Sequence, residues 1–191
     1  DCVDAAGQLT AICASLTKIA NDIRLLGSGP RCGLGELQLP ATQPGSSIMP
    51  GKVNPVMSEM LVQACLYAQG QCQTVGSCGR DGQFELNVTI PLIAYSLHEA
   101  ITVLTNASQS FAERCVDGIE ANESQLAHNV QQSLMLVTAL NPHIGYDQAS
   151  KVAKRAFAEN KTLREVVLEE SLMEADALDK ALDPSQMLGT Q

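Results

Sequence analysis

Apolar residues recur at three- and four-residue steps across positions 4–26, with Leu9, Ile12, Leu16, Ile19, Ala20 and Ile23 on one face. That spacing predicts one long amphipathic helix. The periodicity then stops. Gly29-Pro30, Gly33, Gly35, Pro40, Pro44, Gly45, Pro50 and Gly51 punctuate the chain up to Asn54-Pro55 and predict a long loop. Leu34, Leu37, Leu39 and Ile48 lie among them and favour an ordered loop. Ordered loops of such length inside a compact domain usually carry function. Helical spacing resumes with Asn54 in position to cap and Pro55 as first helical residue. Met60, Leu61, Ala64, Cys65, Ala68 and Cys72 extend it toward Gly76, before a second glycine-rich break at 76–82. A short segment at 84–87, in which Glu85 and Asn87 read as packing or anchoring residues, leads into a further helix at 91–115 that ends by Gly118.

Beyond that point the predicted helices shorten to 123–140, 147–160, 163–170 and 172–182. Asn141-Pro142 and Asp183-Pro184 serve as breaks. Asn122 with Gln125, Thr162 with Glu165 and Ser171 with Glu174 have the spacing of capping boxes. No alternating strand pattern of useful length and no internal repeat occurs. The expected fold is all-α. Part of a long helical bundle, including the loop, is expected to occupy residues 1–117, and a small helical C-terminal domain residues 118–191.

Composition sharpens this picture in three ways. The chain of 191 residues has no Trp and 3% aromatic residues, so its core must be aliphatic and small, as in packed helical bundles. No apolar run approaches the roughly 18 residues of a membrane span. The first residues, with Asp1, Asp4, Gln8 and Thr10, lack the basic-then-apolar order of a signal peptide. The net charge of −9 opposes non-specific binding to nucleic acid or anionic membrane, so an anionic ligand needs a local cluster of donors. Seven cysteines, odd in number and without a CxxC pair, read as reduced thiols of a cytosolic protein. His98, His128 and His143 are scattered and argue against a zinc site.

The candidate chemistry lies in 45–55. Two serines follow Pro44-Gly45, and Lys52 stands six residues after Ser46. Gly51 permits a positive φ, Asn54 offers an amide donor, and the helix starting near Pro55 points free N–H groups at the loop. These features describe a small-anion site beside a hydroxyl. They equally describe a serine-rich surface loop with a solvated lysine.

The full string Gly45-Ser46-Ser47-Ile48-Met49-Pro50-Gly51-Lys52-Val53-Asn54-Pro55 resembles the signature of the fumarase/aspartase superfamily. Lys18 to Arg24, Ser28-Gly29-Pro30-Arg31-Cys32-Gly33, Phe84-Glu85-Leu86-Asn87-Val88 and the stretch at 133–147 resemble fumarases as well. The resemblance covers almost all of this chain but only the C-terminal two-fifths of a family member. Gly51 and Leu140-Asn141-Pro142-His143-Ile144-Gly145-Tyr146 favour class II fumarases over aspartases, in which Ala is usual at the Gly51 position.

The resemblance implies reversible hydration of fumarate to L-malate, with no metal or organic cofactor. It makes Ser46, as an alkoxide, the base that removes the carbon proton. Lys52 and Asn54 become ligands of the substrate carboxylate. Ser47 becomes a turn or backbone partner, and Glu59 the carboxylate that pairs with an active-site histidine. That histidine falls upstream of this chain in family members, and none of the three histidines here sits in its motif. The resemblance further implies a homotetramer whose sites draw on three subunits, so that these residues alone, as a fragment, would be inactive. A cytoplasmic location is expected, or a mitochondrial one if a transit peptide precedes the sequence. Two other readings stand beside it: an aspartate ammonia-lyase of the same superfamily, and a non-catalytic structural protein on a lyase scaffold.

Overall fold

The first apolar stripe folds as α1 (Cys2–Leu26), which buries Ala6, Cys13 and Ala20, every seventh residue along it. The structure, a computed structural model, describes residues 1–43, 45, 48, 49 and 51–188. Helix α2 (Val56–Gly79) buries Leu61, Cys65, Ala68, Cys72 and Val75. Their steps alternate between four and three, the pattern of helices packed nearly parallel. Helix α3 (Ile90–Arg114) continues the theme with Ile93, Ser96, Ala100, Leu104, Ala107 and Phe111. Helix α2 packs against both α1 and α3. The seam is made largely of Ala, Cys and Ser, so the backbones approach closely and a few larger side chains fill what remains. All seven cysteines are free, and Cys13, Cys65, Cys72, Cys78 and Cys115 are buried. Burial first, and then the neighbouring Cys65 and Cys72, push the Cys13 thiol up to about 11, so it stays protonated and packs as a small hydrophobe.

Two expectations for α2 need correction. The helix does not stop at Gly76 but runs through Gly79. Val75 and Cys78 keep the buried seam going, and their burial outweighs a cost of about 1 kcal/mol for a glycine inside a helix. At the other end the cap position belongs to Pro55, and no side chain caps the helix. Asn54 contributes its carbonyl, which accepts from the Val56 N–H at 2.9 Å. The link from α2 to α3 is anchored by Asn87, whose amide donates to the Cys78 carbonyl at 3.0 Å and accepts from the Thr89 N–H at 2.8 Å.

Among the described residues the paired strands are short. Strand β1 (Leu37–Gln38) pairs antiparallel with β2 (Glu120–Ala121), Leu37 opposite Ala121 and Gln38 opposite Glu120. Two residues per strand are too few to leave an alternating signature in the sequence. The chain divides into two compact units, Asp1–Asn122 and Glu123–Gln191, and this ladder ties β2 to the first.

In the second unit the single helix expected over 123–140 is split. Helix α4 (Glu123–Gln132) ends, Ser133 is extended, and its hydroxyl accepts from the Met135 N–H to start a 3₁₀ segment, Leu134–Leu140. The serine competes for the backbone as serines do. Asn141-Pro142 does not merely break a helix but opens α5 (Asn141–Ile144), because proline is tolerated in a first turn. Helix α6 (Tyr146–Glu159) closes on Asn160 in the left-handed conformation. Helix α7 (Leu163–Glu169) opens with the expected reciprocal capping box of Thr162 and Glu165. The box expected at Ser171 and Glu174 does not form. Ser171 takes a φ of 53° and ends α7, and α8 (Ala175–Ala181) begins later than expected. Leu140, Val152, Val166, Val167 and Leu178 make a separate small core.

An ion network crosses the surface of this unit. Arg155 meets Glu159 at 2.7 Å and Glu169 at 2.6 Å, and Lys161 meets both carboxylates at 2.8 Å. The Arg155 and Lys161 hydrogen bonds hold the Glu159 carboxyl down to about 2. A carboxyl held below its unfolded value stabilises the fold above that value, and the gain is lost as pH falls toward the folded value. Glu159→Gln is therefore expected to lower the melting temperature near neutral pH, modestly and less so in high salt, since the group is solvent-facing. The gap to wild type should close as pH drops from 4.5 to about 2. Melts across that range check it, and a gap independent of pH would remove Glu159 from this role.

Candidate active site

The site begins where α1 ends. Ser28 turns the chain: its hydroxyl donates to the Leu25 carbonyl at 2.6 Å and accepts from the Leu34 N–H at 3.1 Å. The Gly35 N–H returns to the Ser28 carbonyl at 2.7 Å, and the Glu36 N–H to that of Leu26 at 2.9 Å. The loop is thus folded back on the helix end, with Gly29-Pro30 cis. Its outgoing limb is β1, pinned to β2. Just past β2, the Asn122 N–H donates to the Glu36 carbonyl at 2.9 Å and its side-chain amide to that of Gly35 at 3.0 Å.

The next stretch carries the lyase-like string. The Lys52 N–H bonds the Met49 carbonyl at 3.2 Å, and Gly51, at a φ of 78°, makes that turn feasible. Gly45 lies against the Lys52 backbone so closely that any Cβ there would overlap the Lys52 carbonyl. The loop therefore doubles back on itself, and Lys52 is held at the point of return.

These segments enclose a cavity of about 420 Å³ whose lining includes Ser28, Gln38, Lys52, Asn54, Pro55 and Asn122. Lys52 and Asn54 are thus brought to one cavity, the lysine exposed and the asparagine half-buried. Helix α2 starts at Val56, beside them, with its free N–H groups at that end. An ammonium, an amide and a helix N-terminus together suit a carboxylate. Glu59 sits half-buried in the first turn of α2 and is not among the lining residues. None of the three histidines lines the cavity. Ser46 and Ser47 lie outside the described residues, so their roles rest on the sequence. Sequence reasoning missed Ser28, Gln38 and Asn122. Ser28 sits inside the fumarase-like stretch at 28–33, whereas Asn122 gave only a helix-capping signal.

A second, larger cavity of about 800 Å³ in the Glu123–Gln191 unit is lined by Leu126, Val130, Leu136, Leu163 and Leu182 among others. Its arginine, Arg164, is paired with Asp179 at 2.6 Å, so the charge is neutralised locally. It offers a dicarboxylate much less. Among the described residues no group of His, Cys, Asp or Glu is placed to hold a metal, and no helix is long and apolar enough to cross a membrane.

Comparison with known proteins agrees with the loop. A family model described as "Lyase" matches residues 1–70, and one described as "Fumarase C C-terminus" matches residues 136–189. The class II fumarate hydratase of Thermosynechococcus vestitus is 53% identical over 184 residues, 96% of this chain and 39% of that protein. The mitochondrial fumarate hydratase of Dictyostelium discoideum is 50% identical over 188 residues, 98% of this chain and 39% of that protein. The crystal structure of class II fumarase from Schistosoma mansoni superposes with a TM-score of 0.90 at 41% identity, covering 97% of this chain and 39% of that one. The chain thus spans about two-fifths of the length of the relatives it matches. The two family models, the all-α fold and an identity of 53% and 50% to these two relatives over almost the whole chain lead to one assignment: the chain belongs to the class II fumarase family of the fumarase/aspartase lyases and corresponds to their C-terminal part.

Proposed function

We propose that these residues supply the proton-abstracting loop and a carboxylate-binding wall of a fumarate hydratase, a hydro-lyase that interconverts fumarate and L-malate. The observation that carries the reading is the convergence of Lys52 and Asn54 on one cavity at the end of the Gly45–Pro55 string. Removing a carbon proton from malate builds negative charge on the adjacent carboxylate, so the site needs a base on one side and donors on the other. Ser46 is the base in this reading, as an alkoxide held by backbone N–H groups of its glycine-bracketed loop. Lys52 supplies charge and Asn54 a directed hydrogen bond to the carboxylate. Ser47 supports the turn. Glu59, half-buried in the first turn of α2, pairs in this reading with a histidine contributed from outside this chain.

Residues 1–117 act in this reading as part of the central bundle, and residues 118–191 as a small helical C-terminal domain. The assembly is a homotetramer with composite sites. The exposed Ile12, Ile19, Leu66 and Ile101 on the three long helices give it apolar surface to bury. The location is cytoplasmic, or mitochondrial where a transit peptide precedes the sequence.

The test is turnover by a polypeptide of the relatives' full length that contains this sequence. Formation of the fumarate double bond from L-malate is expected, with none from L-aspartate. Activity confined to L-aspartate would reassign the chain to the ammonia-lyases, and inactivity toward both would favour the scaffold reading. The 191 residues alone should show no turnover, and appreciable malate dehydration by them would overturn the composite site. Lys52→Met removes a charge-assisted hydrogen bond worth roughly 1.5–3 kcal/mol, so kcat/KM should fall by about tenfold to a hundredfold. Steady-state kinetics reads that directly, and a change below twofold would exclude Lys52 from the carboxylate.

A further inference from the structure

We infer that Asn122 is a positioning residue of the dicarboxylate cavity, clasping the loop wall that Lys52 and Asn54 share; the inference rests on the functional reading above. The wall is the 27–39 loop, which contributes Ser28, Gly35 and Gln38 to the lining. On the side toward α1 it is tied by the Gly35 and Glu36 N–H groups to the Ser28 and Leu26 carbonyls. On the other side stand the two residue pairs of the β1–β2 ladder. A ladder that short gives little hold on its own. Asn122 lengthens it by one step through its backbone, whose N–H meets the Glu36 carbonyl at 2.9 Å.

The side chain then does what a continuing strand could not. Gly35 has a φ of 61°, outside the extended backbone of a strand, so the ladder does not continue through it. The Asn122 amide reaches its carbonyl and donates at 3.0 Å, joining residues 87 positions apart. Asn122 is itself part of the cavity lining beside Lys52 and Asn54. A shift of the clasp therefore changes the space in which the substrate carboxylate sits, without altering either ligand. An asparagine suits this task because it combines a backbone donor, a side-chain donor and short reach. Alanine or leucine leaves the Gly35 carbonyl without that donor.

The variants are Asn122→Leu, which keeps the branching at Cγ and loses the donor, and Asn122→Gln, which keeps the donor. They are measured in the full-length polypeptide with whichever of L-malate and L-aspartate the wild type turns over. Loss of one part-buried hydrogen bond corresponds to roughly fivefold to tenfold, expected as a rise in KM for Asn122→Leu with kcat changed far less. Asn122→Gln should lie closer to wild type. Amide exchange in 27–39 should accelerate in Asn122→Leu, while the buried seam of α1 to α3 stays protected. An unchanged KM, with only kcat and melting temperature reduced, would make the residue merely structural and overturn the inference. Unchanged exchange in 27–39 would overturn the clasp itself. If wild type turns over neither substrate, the functional reading fails and the positioning role with it, and the exchange result still decides the clasp.

Discussion

Ser46→Ala, placed in a full-length polypeptide, is expected to lower kcat for malate dehydration by about three orders of magnitude, some 4 kcal/mol of barrier, with KM and melting temperature near wild type. The size follows from the acidity problem. A carbon proton beside a carboxylate is a very weak acid, and a neutral hydroxyl is a poor base for it. Only an ionised oxygen, stabilised by fixed donors, matches the task. Alanine deletes that oxygen and nothing else, so the donors toward the carboxylate remain and binding persists. Ser47→Ala is the comparison. As a turn partner Ser47 should cost far less, a few-fold at most for the loss of one hydrogen bond. A Ser46→Ala enzyme that keeps more than a tenth of wild-type kcat would remove Ser46 from the base role. Equal losses in the two variants would say that the loop, rather than one oxygen, had been damaged.

The parts of this molecule that were legible in the sequence are those in which one face of one helix decides the matter. The apolar steps through Leu9, Leu16 and Ile23 are local, and α1 forms where they predict. The Thr162–Glu165 box is local too, and both of its hydrogen bonds form. Boundaries failed where a neighbour intervenes. Gly76 reads as a stop, yet Val75 and Cys78 on either side of it are buried in the seam, and their packing holds the helix through. The expected helix over 123–140 failed for the opposite reason. Leu126, Val130, Leu134 and Val137 keep helical spacing across it, but the Ser133 hydroxyl accepts from the Met135 N–H and restarts the chain as 3₁₀. The candidate site divides the same way. Lys52 and Asn54 belong to one short string and could be named from it. The wall they share with Asn122 depends on a hydrogen bond across 87 positions, which no spacing rule reports.

Gly45→Ala carries the second large effect, and its cause lies in the loop's return on itself. The Gly45 backbone is packed against the Lys52 carbonyl, and a methyl group there would occupy the same space as that oxygen. The obstacle is backbone rather than the end of a flexible side chain, so it cannot swing aside. The Lys52 peptide must move, and with it the turn that the Lys52 N–H closes onto the Met49 carbonyl. Overlap of this kind typically costs 1–3 kcal/mol when the surroundings yield. Here yielding means displacing an ammonium that, in the proposed function, meets a carboxylate within hydrogen-bond reach, where a shift of about 1 Å can cost a hundredfold in rate. The loss in kcat/KM for Gly45→Ala should therefore match or exceed that for Lys52→Met, although the substitution adds a single methyl and removes no charge. The buried seam of Leu61, Ala68 and Val75 should feel little of it, because the loop bears no part of that core. The double variant is the discriminating measurement. If Gly45→Ala acts by displacing Lys52, then Gly45→Ala with Lys52→Met should be scarcely worse than either alone. Losses that multiply in full would show that the two residues act independently, and the loop's contact with the Lys52 carbonyl would then have no bearing on how the carboxylate is held.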